Sequence, residues 1–369
     1  MILRLRPIAV VVVSLLAASA WSQYDDFARE MDALTGEWWS DDAPGGVILV
    51  MKGEETVYQR VGGLADLGTG TPIDVQTIFN TGSISKTFVA NAILILHEEG
   101  KLSIDDPLSR YFDDFADPKI AEAVTIRHLL SHTSGLPDSR NVRADPAFYM
   151  TARDTANFAP LKQTRDFKFE PGSRFEYSNP AYNGLALIVE RVSGRKWQDF
   201  IRDRIFRPAG MQRSTITDGP HPATGVAHAY EPDGEGGYAE YDYGEFPTFA
   251  ASGNGGVWCS IGDLVKYERA LQAGKIISPE LLQESRTPWH PDNWSASNDP
   301  QIGYSWFIDL QNAHTGGKIV YHTGSQGGFR AFHIWIPDRD VIFCALFNQP
   351  FDSRRLFAEG LALIAKHGI

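Results

Sequence analysis

Short apolar runs of strand length lie near both ends of the chain. Two runs near the start flank Gly53-Glu54-Glu55, and apolar runs on either side of a short polar connection indicate a β-hairpin. Three more runs lie near the C-terminus, where short connections favour antiparallel pairing. The five runs cover residues 47–52, 57–61, 318–321, 329–336 and 341–347. The pattern predicts antiparallel strands contributed by both ends of the chain.

The central part of the chain has helical spacing instead. Residues 86–99 place apolar side chains at i, i+3, i+4 and i+7, and Gly100 follows as a helix stop signal. Similar spacing predicts helices over residues 181–192, 261–271 and 357–367. The combination predicts an α/β (α+β) fold: a mostly antiparallel sheet built from both chain ends, flanked by helices, with an inserted helical domain.

The length of 369 residues allows one large domain or two interleaved ones. We expect one domain over residues 23–369. Its sheet subdomain would cover about residues 23–100 and 250–369, and its helical subdomain about residues 101–249.

The first 22 residues have the pattern of a secretory signal peptide. Arg4 and Arg6 precede a mostly apolar run over residues 8–18, which is shorter than the roughly 20 residues that a helix needs to cross a bilayer. Small residues then offer cleavage near Ala20 or Ser22. We therefore expect an exported chain, periplasmic or secreted, without stable membrane insertion after processing. An uncleaved N-terminal anchor is the alternative.

Composition narrows the function classes. Hydrophobic residues make up 43% and charged residues 22%, which excludes a mainly disordered chain. The 34 basic and 46 acidic residues give a net charge of −12, and phosphate binding needs a basic face, so we expect no nucleic-acid partner. Two cysteines are too few for a disulfide scaffold or a cysteine-built metal site, and no cofactor is expected. Pairing of Cys259 with Cys344 in an oxidising compartment is left open.

Ser83 and Lys86 form an S-x-x-K pattern at the start of a predicted helix. Residues three apart share one helix face, so Lys86 can reach the Ser83 hydroxyl. Serine becomes nucleophilic when a base removes its proton, and a lysine whose neutral form is favoured by burial can be that base. A second S-x-x-K, at residues 193–196, follows a helix rather than opening one, so we interpret Ser193 as a helix-end residue.

Two further motifs support Ser83 as the candidate nucleophile. Tyr177-Ser178-Asn179 is the only Y-x-N in the chain. A phenol near an ammonium group ionises more easily and can shuttle protons, and an asparagine amide can hold a lysine and a substrate carbonyl. His-Thr-Gly occurs at residues 314–316 and 322–324. Only the second copy lies along a predicted strand edge, where backbone N–H groups can meet a substrate, so we favour His322.

Together these motifs resemble the serine β-lactamase and penicillin-binding-protein superfamily, whose motifs are S-x-x-K, Tyr-x-Asn or Ser-x-Asn, and Lys/His-Thr-Gly. The order fits, with Tyr177 94 positions after Ser83 and His322 145 positions after Tyr177. Segments 125–136, 205–211 and 251–256 are also similar to family segments, so the resemblance runs from about Gly45 to the last helix. It is strongest to the class C-like branch, which includes class C β-lactamases, D-alanyl-D-alanine carboxypeptidases, D-aminopeptidases and carboxylesterases.

The resemblance implies a role for each site residue. Ser83 would be the acylated nucleophile, and Lys86 and Tyr177 would share the general-base work. The backbone N–H groups of Ser83 and Ser325 would form the oxyanion hole. The substrate-binding residues would be Asn179, His322, Gly324 and Ser325, with Asn179 also positioning Lys86. The resemblance implies the same fold as the apolar pattern, with the site between the sheet and the helical domain.

His322 is where the sequence departs from class C β-lactamases, which carry lysine at that position. Lysine gives a fixed cation for a substrate carboxylate, whereas histidine is mostly neutral at pH 7 and titrates near pH 6.5. We therefore expect a small-molecule or peptide substrate, cell-wall peptides among the candidates, cleaved by a carboxylesterase or a D-amino-acid peptidase or carboxypeptidase. A β-lactamase and a non-turning-over penicillin-binding or sensor domain are the alternatives, and the oligomeric state is left open.

His128 and His132 stand four residues apart and could face the same way on a helix, as zinc ligands do. No third ligand is evident nearby in the sequence, and the segment is similar to a structural part of the family. We interpret the pair as structural and expect no metal.

Overall fold

The structure is a computed structural model, and it describes residues 24–38, 40–140, 142, 145–216, 225–240, 250, 252–289 and 301–369. The predicted signal peptide, residues 1–22, lies outside the described residues, as does Ala251 in the segment 251–256. Within the described ranges, no helix is both long and apolar enough to cross a membrane.

Antiparallel strands from both ends of the chain form the centre of the molecule. Within the described residues the strands are β1 (Gly46–Lys52), β2 (Glu55–Gly62), β3 (Leu64–Asp66), β4 (Thr71–Pro72), β5 (Phe79–Asn80), β6 (Ser214–Thr215), β7 (Tyr230–Pro232), β8 (Tyr238–Glu240), β9 (Trp258–Cys259), β10 (Gln301–Ile302), β11 (Phe307–Asp309), β12 (Ile319–Gln326), β13 (Phe329–Ile336) and β14 (Val341–Phe347). Seven of these strands form the central sheet, in the order β10-β11-β12-β13-β14-β1-β2 and with antiparallel pairing throughout. Strands from the two ends of the chain meet where β1 pairs with β14.

Helices cover both faces of the sheet and fill the middle of the chain. They are α1 (Asp25–Thr35), α2 (Ser85–Glu98), α3 (Pro118–Ala123), α4 (Ile126–Leu130), α5 (Pro146–Thr151), α6 (Asp154–Lys162), α7 (Asn179–Ser193), α8 (Trp197–Ile201), α9 (Arg207–Ala209), α10 (Ile261–Gln272), α11 (Pro279–Ser285) and α12 (Ser353–Lys366). A π-helical turn, Arg202–Phe206, joins α8 to α9.

Burial on both faces explains the continuous apolar character of the central strands. All seven residues of β14 are buried. In β1, Val47 and Leu49 join the larger core cluster, whereas Ile48 and Val50 join the cluster that also contains residues of α1 and α12. Alternate side chains of a strand point to opposite faces, so the sheet separates two cores. The terminal helices α1 and α12 pack together over one of them.

A charged cluster is buried between α10 and the sheet. The Glu268 carboxylate accepts two hydrogen bonds from Arg286, at 2.8 and 2.7 Å, and lies 3.0 Å from His333 Nε2. Cys344 Sγ lies 3.3 Å from the other ring nitrogen of His333. Burial raises the pKa of the Cys344 thiol, so the cysteine is a protonated donor and not a nucleophile. Cys259 and Cys344 are both buried free thiols.

The predicted fold class is confirmed, and the differences lie at element ends and in elements that the sequence pattern did not reveal. Strand β12 continues from the expected end at residue 321 to Gln326, through a stretch without large apolar side chains. Helix α12 begins at Ser353, before the expected residue 357. Helix α1 and strand β11 were not predicted, and β11 has three residues, too few to show an alternating pattern.

Candidate active site

Ser83 lies in a single 3₁₀ turn, Gly82–Ile84, that leads directly into α2. Residues 85–96 of this helix are all buried, so α2 is a core helix whose position is fixed on every side. Lys86 is in its first turn, three residues after Ser83, and the two side chains meet as the sequence spacing predicts.

The Lys86 amine is fully buried, with 0% of the residue exposed. Its Nζ lies 2.8 Å from Ser83 Oγ and donates a second hydrogen bond of 2.8 Å to the backbone carbonyl oxygen of Asn254. Burial, together with the positive charge of Arg140, holds the pKa of Lys86 well below its usual value. A larger fraction of neutral amine is therefore present near pH 7, and its lone pair is in reach of the serine proton.

Tyr177 precedes α7, and its ring faces the other catalytic candidates. Lys86 Nζ lies 5.0 Å from the centroid of the Tyr177 ring. The His322 ring centroid is 6.4 Å away and that of Phe307 is 6.3 Å away. The structure therefore brings Ser83, Lys86, Tyr177 and His322 into one site.

His132 is a site residue that the motif analysis assigned only a structural role. Its ring stacks on the Tyr177 ring, with centroids 4.4 Å apart and an interplanar angle of 27°. Its Nδ1 accepts a 3.0 Å hydrogen bond from the Ser178 backbone N–H, so the proton of the neutral ring is on Nε2. Burial and the charge of Lys86 hold the pKa of His132 well below its usual value, and the ring is neutral.

The two histidines of the sequence pair have separate partners. His128 Nδ1 accepts the Thr125 backbone N–H at 3.2 Å as part of a capping box at the start of α4. His132 has a positive φ of 56°, in the left-handed region, and this backbone conformation turns its ring toward Tyr177. In the sequence, the spacing from His128 and the location in the segment 125–136 draw attention to His132, but neither signal indicates a contact with Tyr177.

Asn179 is the first residue of α7, and its side chain is half-buried. The preceding residue, Ser178, caps the helix by accepting the Ala181 backbone N–H at 3.3 Å. Within the described residues, the hydrogen bonds of the Lys86 amine go to Ser83 and Asn254 and not to Asn179. Asn254 is therefore a second site residue that motif reasoning missed, since a backbone carbonyl has no sequence signature.

His322 is buried in β12, with 1% of the residue exposed. Its Nδ1 lies 2.7 Å from the Thr323 carbonyl oxygen, which only accepts, so Nδ1 carries the proton. Among the described residues Nε2 has no hydrogen-bond partner, which leaves an acceptor lone pair inside the site. Burial and the charge of Lys86 lower the pKa of His322 to about 3. This residue therefore supplies no fixed positive charge at neutral pH.

The backbone of β12 is in direct contact with the turn that carries Ser83. Strand β11 pairs with β12 only as far as Tyr321, which leaves the later part of that edge open to the turn. A methyl group on Gly324 would lie 2.0 Å from the Thr81 carbonyl oxygen and 3.3 Å from Ser83 N. A methyl group on Gly82 would lie 2.7 Å from Ser325 N. Glycine at these positions lets the two segments approach closely, with Ser83 N and Ser325 N at the junction.

A cavity of about 510 Å³ opens beside this junction. Aromatic rings form one part of its wall, and two arginines, Arg330 and Arg354, form another. The lining residues are Phe307, Tyr321, Thr323, Gly324, Ser325, Arg330, Ala331, Phe332, Ser353, Arg354 and Phe357. The cavity borders Gly324 and Ser325 but lies on the face of the sheet that α12 covers, since Phe332, Tyr321 and Phe357 belong to the core of that face. Ser83, Lys86, Tyr177 and His322 do not line it.

Comparison with known proteins supports the family that the sequence motifs resemble. The model of the family described as Beta-lactamase matches residues 25–366. Penicillin-binding protein 4* of Bacillus subtilis (strain 168) is 28% identical over 339 residues, which are 87% of this chain and 71% of the relative. A D-aminopeptidase of Brucella anthropi is 31% identical over 314 residues, 83% of this chain but 56% of the relative.

A solved structure shares the fold over nearly the whole chain. The crystal structure of a penicillin binding protein from Bacillus halodurans superposes with a TM-score of 0.76 at 28% identity. The match covers 90% of this chain and 98% of that one.

Proposed function

Because the chain belongs to the beta-lactamase family and is a serine hydrolase, we propose that it cleaves ester or amide bonds through an acyl-enzyme on Ser83. The observation that carries the proposal is the buried Lys86 amine, 2.8 Å from Ser83 Oγ and with a lowered pKa. A lysine in this state can take the serine proton at neutral pH, and the serine oxygen is then a competent nucleophile.

Each proton and charge of the reaction has a partner in the site. Lys86 takes the proton as Ser83 Oγ attacks the substrate carbonyl carbon. The backbone N–H groups of Ser83 and Ser325 stabilise the negative charge that develops on the carbonyl oxygen. Tyr177, 5.0 Å from the amine by its ring centroid, relays a proton to the leaving group as the bond breaks. Water then attacks the acyl-enzyme ester on Ser83, and Lys86 and Tyr177 move the protons in the reverse order.

The substrate class follows from the charges around the junction. Neutral His322 gives no cation for the carboxylate of a β-lactam, which favours simple esters and D-amino-acid peptides or amides over β-lactams. One relative, which is longer than this chain, is a D-aminopeptidase. A carboxypeptidase, which the sequence resemblance also implies, would need a cation other than His322 to hold the free terminal carboxylate of its peptide substrate.

The test is a substrate panel run with the wild-type chain and Ser83→Ala. The panel contains p-nitrophenyl esters, D-amino-acid amides, nitrocefin, and a D-alanyl-D-alanine peptide beside its C-terminal amide. We expect steady turnover of an ester or D-amino-acid substrate and none in Ser83→Ala. Preference for the free acid over its amide would identify the carboxypeptidase. Full turnover by Ser83→Ala would overturn the proposal, and a burst without turnover would identify a penicillin-binding sensor.

We propose in addition that the chain is exported and cleaved near Ala20 or Ser22. The basic start, the apolar run over residues 8–18 and the small residues after it support this proposal. N-terminal sequencing of the protein recovered from a bacterial periplasm tests it. A retained Met1 or a cytoplasmic location would contradict it.

A further inference from the structure

We propose that Asp154 is a positioning residue for Lys86, and that it acts through the acceptor turn, residues 252–254. The inference rests on the proposed function, since it concerns the amine that activates Ser83. Asp154 opens α6, and within the described residues the Lys86 amine makes its hydrogen bonds to Ser83 and Asn254 and not to Asp154. Its influence passes through a chain of short hydrogen bonds.

The last hydrogen bond in this chain orients the Lys86 amine. Lys86 Nζ makes one hydrogen bond to Ser83 Oγ and the other to the Asn254 carbonyl oxygen, both at 2.8 Å. A lysine side chain has four rotatable bonds, so a single bond to Ser83 leaves the amine free to swing. The Asn254 carbonyl provides the second fixed point, and its direction depends on the conformation of the acceptor turn.

The Asp154 carboxylate holds the acceptor turn directly. Its Oδ1 accepts the Gly253 backbone N–H and the Asn183 side-chain N–H, each at 2.8 Å. The same Asn183 amide donates to Ser252 Oγ at 2.6 Å, and Ser252 Oγ donates to Asn254 Oδ1 at 2.7 Å. Every member of this chain is buried, so water does not compete for the bonds.

The packing of the acceptor turn against α7 supports the same arrangement of hydrogen bonds. An added methyl group on Gly253 would lie 2.7 Å from the Tyr182 carbonyl oxygen and 2.7 Å from Ala186 Cβ on α7. The turn therefore rests directly against α7, and this contact places the Gly253 N–H beside Asp154. Asn183 lies on the same helix, so one helix face carries both the support and the amide link.

The other carboxylate oxygen provides a matched control. Asp154 Oδ2 accepts the indole N–H of Trp197 at 2.8 Å, on α8 and outside the chain of bonds to Lys86. Trp197→Phe removes a hydrogen bond from the same buried carboxylate and leaves the bonds to Gly253 and Asn183 in place. Asp154→Asn, by contrast, weakens the bonds to Gly253 and Asn183 in either orientation of the amide: its oxygen is a neutral and weaker acceptor than the carboxylate, and its NH2 group would face two donors.

The experiment measures kcat, KM and Tm for wild type, Asp154→Asn, Ser252→Ala and Trp197→Phe on a p-nitrophenyl ester. Burial raises the pKa of Asp154 to about 7, so the assay is run near pH 8.5, where the carboxylate is charged. We expect kcat to fall about 10-fold to 100-fold in Asp154→Asn and Ser252→Ala, with KM changed less than about 2-fold. Trp197→Phe should lower Tm but leave kcat within about 2-fold of wild type.

Equal losses of kcat in Trp197→Phe and Asp154→Asn would overturn the proposal, because they would show a purely structural role. So would an unchanged kcat in both Asp154→Asn and Ser252→Ala. If Asp154→Asn does not fold, Ser252→Ala decides alone, since it keeps the carboxylate and breaks the link to Asn254. Ser83→Ala is assayed beside them. Loss of turnover in Ser83→Ala with unchanged kcat in both Asp154→Asn and Ser252→Ala refutes only this inference, whereas retained turnover in Ser83→Ala refutes the proposed function.

Discussion

Gly324→Ala tests whether the contact between β12 and the Ser83 turn is needed for catalysis. The substitution adds one methyl group at a strand position whose neighbours are backbone atoms. That methyl carbon would lie 2.0 Å from the Thr81 carbonyl oxygen and 3.0 Å from the carbonyl carbon. Backbone cannot rotate aside as a flexible side chain can, so the two segments must separate.

The size of the separation follows from the same distances. Ordinary contact begins at 3.4 Å, so the methyl carbon and the oxygen must move apart by the difference, 1.4 Å. Ser83 N, 3.3 Å from the added carbon, lies on the turn that is displaced. Loss of one oxyanion-hole donor costs about 100-fold to 1,000-fold in kcat, and a 1 Å displacement of reacting groups costs about 100-fold. We expect kcat/KM to fall by about 100-fold or more.

The assay is hydrolysis of the best substrate of the panel, with Tm measured on the same samples. Gly262→Ala is the matched control, because a methyl group on Gly262 in α10 meets nothing within 4 Å. This control should keep wild-type kcat/KM. A Gly324→Ala enzyme within about 2-fold of wild type would refute the reasoning that close backbone approach sets the site.

Three further predictions concern groups around the site and in the core. His132→Ala should lower kcat about 10-fold by freeing the Tyr177 ring, and His132→Phe should restore part of it in the same ester assay. Below pH 6.5 the unfolded chain binds a proton at His322 that the native state, with a pKa of about 3, does not bind. As the pH falls from 6.5 to 3, this histidine should therefore lower the free energy of unfolding by about 1.4 kcal/mol for each pH unit. The free energy of unfolding of His322→Gln, measured by urea titration at several pH values, should depend less steeply on pH. Arg286→Met should cost about 3–5 kcal/mol in urea unfolding, because it leaves Glu268 buried without its main partner, and adding Glu268→Leu should recover much of the loss. If the free energy of unfolding depended on pH equally in wild type and His322→Gln, the account of His322 would be contradicted. An Arg286→Met variant as stable as wild type would contradict the account of Glu268.

The sequence was sufficient to predict several of the side chains that the structure brings together around Ser83. Ser83 and Lys86 are three residues apart where a 3₁₀ turn leads into α2, and His322 lies in β12 just after its apolar residues, so periodicity and spacing locate them. The sheet from both ends was also predictable, because buried strands such as β14 are continuous apolar runs.

Residues that act through geometry rather than side-chain type could not be found in this way. Asn254 contributes a backbone oxygen, which any residue possesses. His132 reaches Tyr177 only because its φ is 56°, and no local pattern predicts that value. Asp154 is 100 residues from Asn254 in the sequence, and only the packing of α6, α7 and the acceptor turn brings them together.

The pairing of β1 with β14 has a consequence for how the molecule forms. Gly46 pairs with Phe347, so the sheet closes only after almost the whole chain is available. Contacts between such distant residues are slow to form, since the entropy of closing a long loop must be met first. Helix α2 is local and can form early, but Ser83 meets Ser325 only when β12 joins the sheet. Catalytic competence should therefore arise at the end of folding, and a chain shortened before β12 would be inactive however much helix it retains.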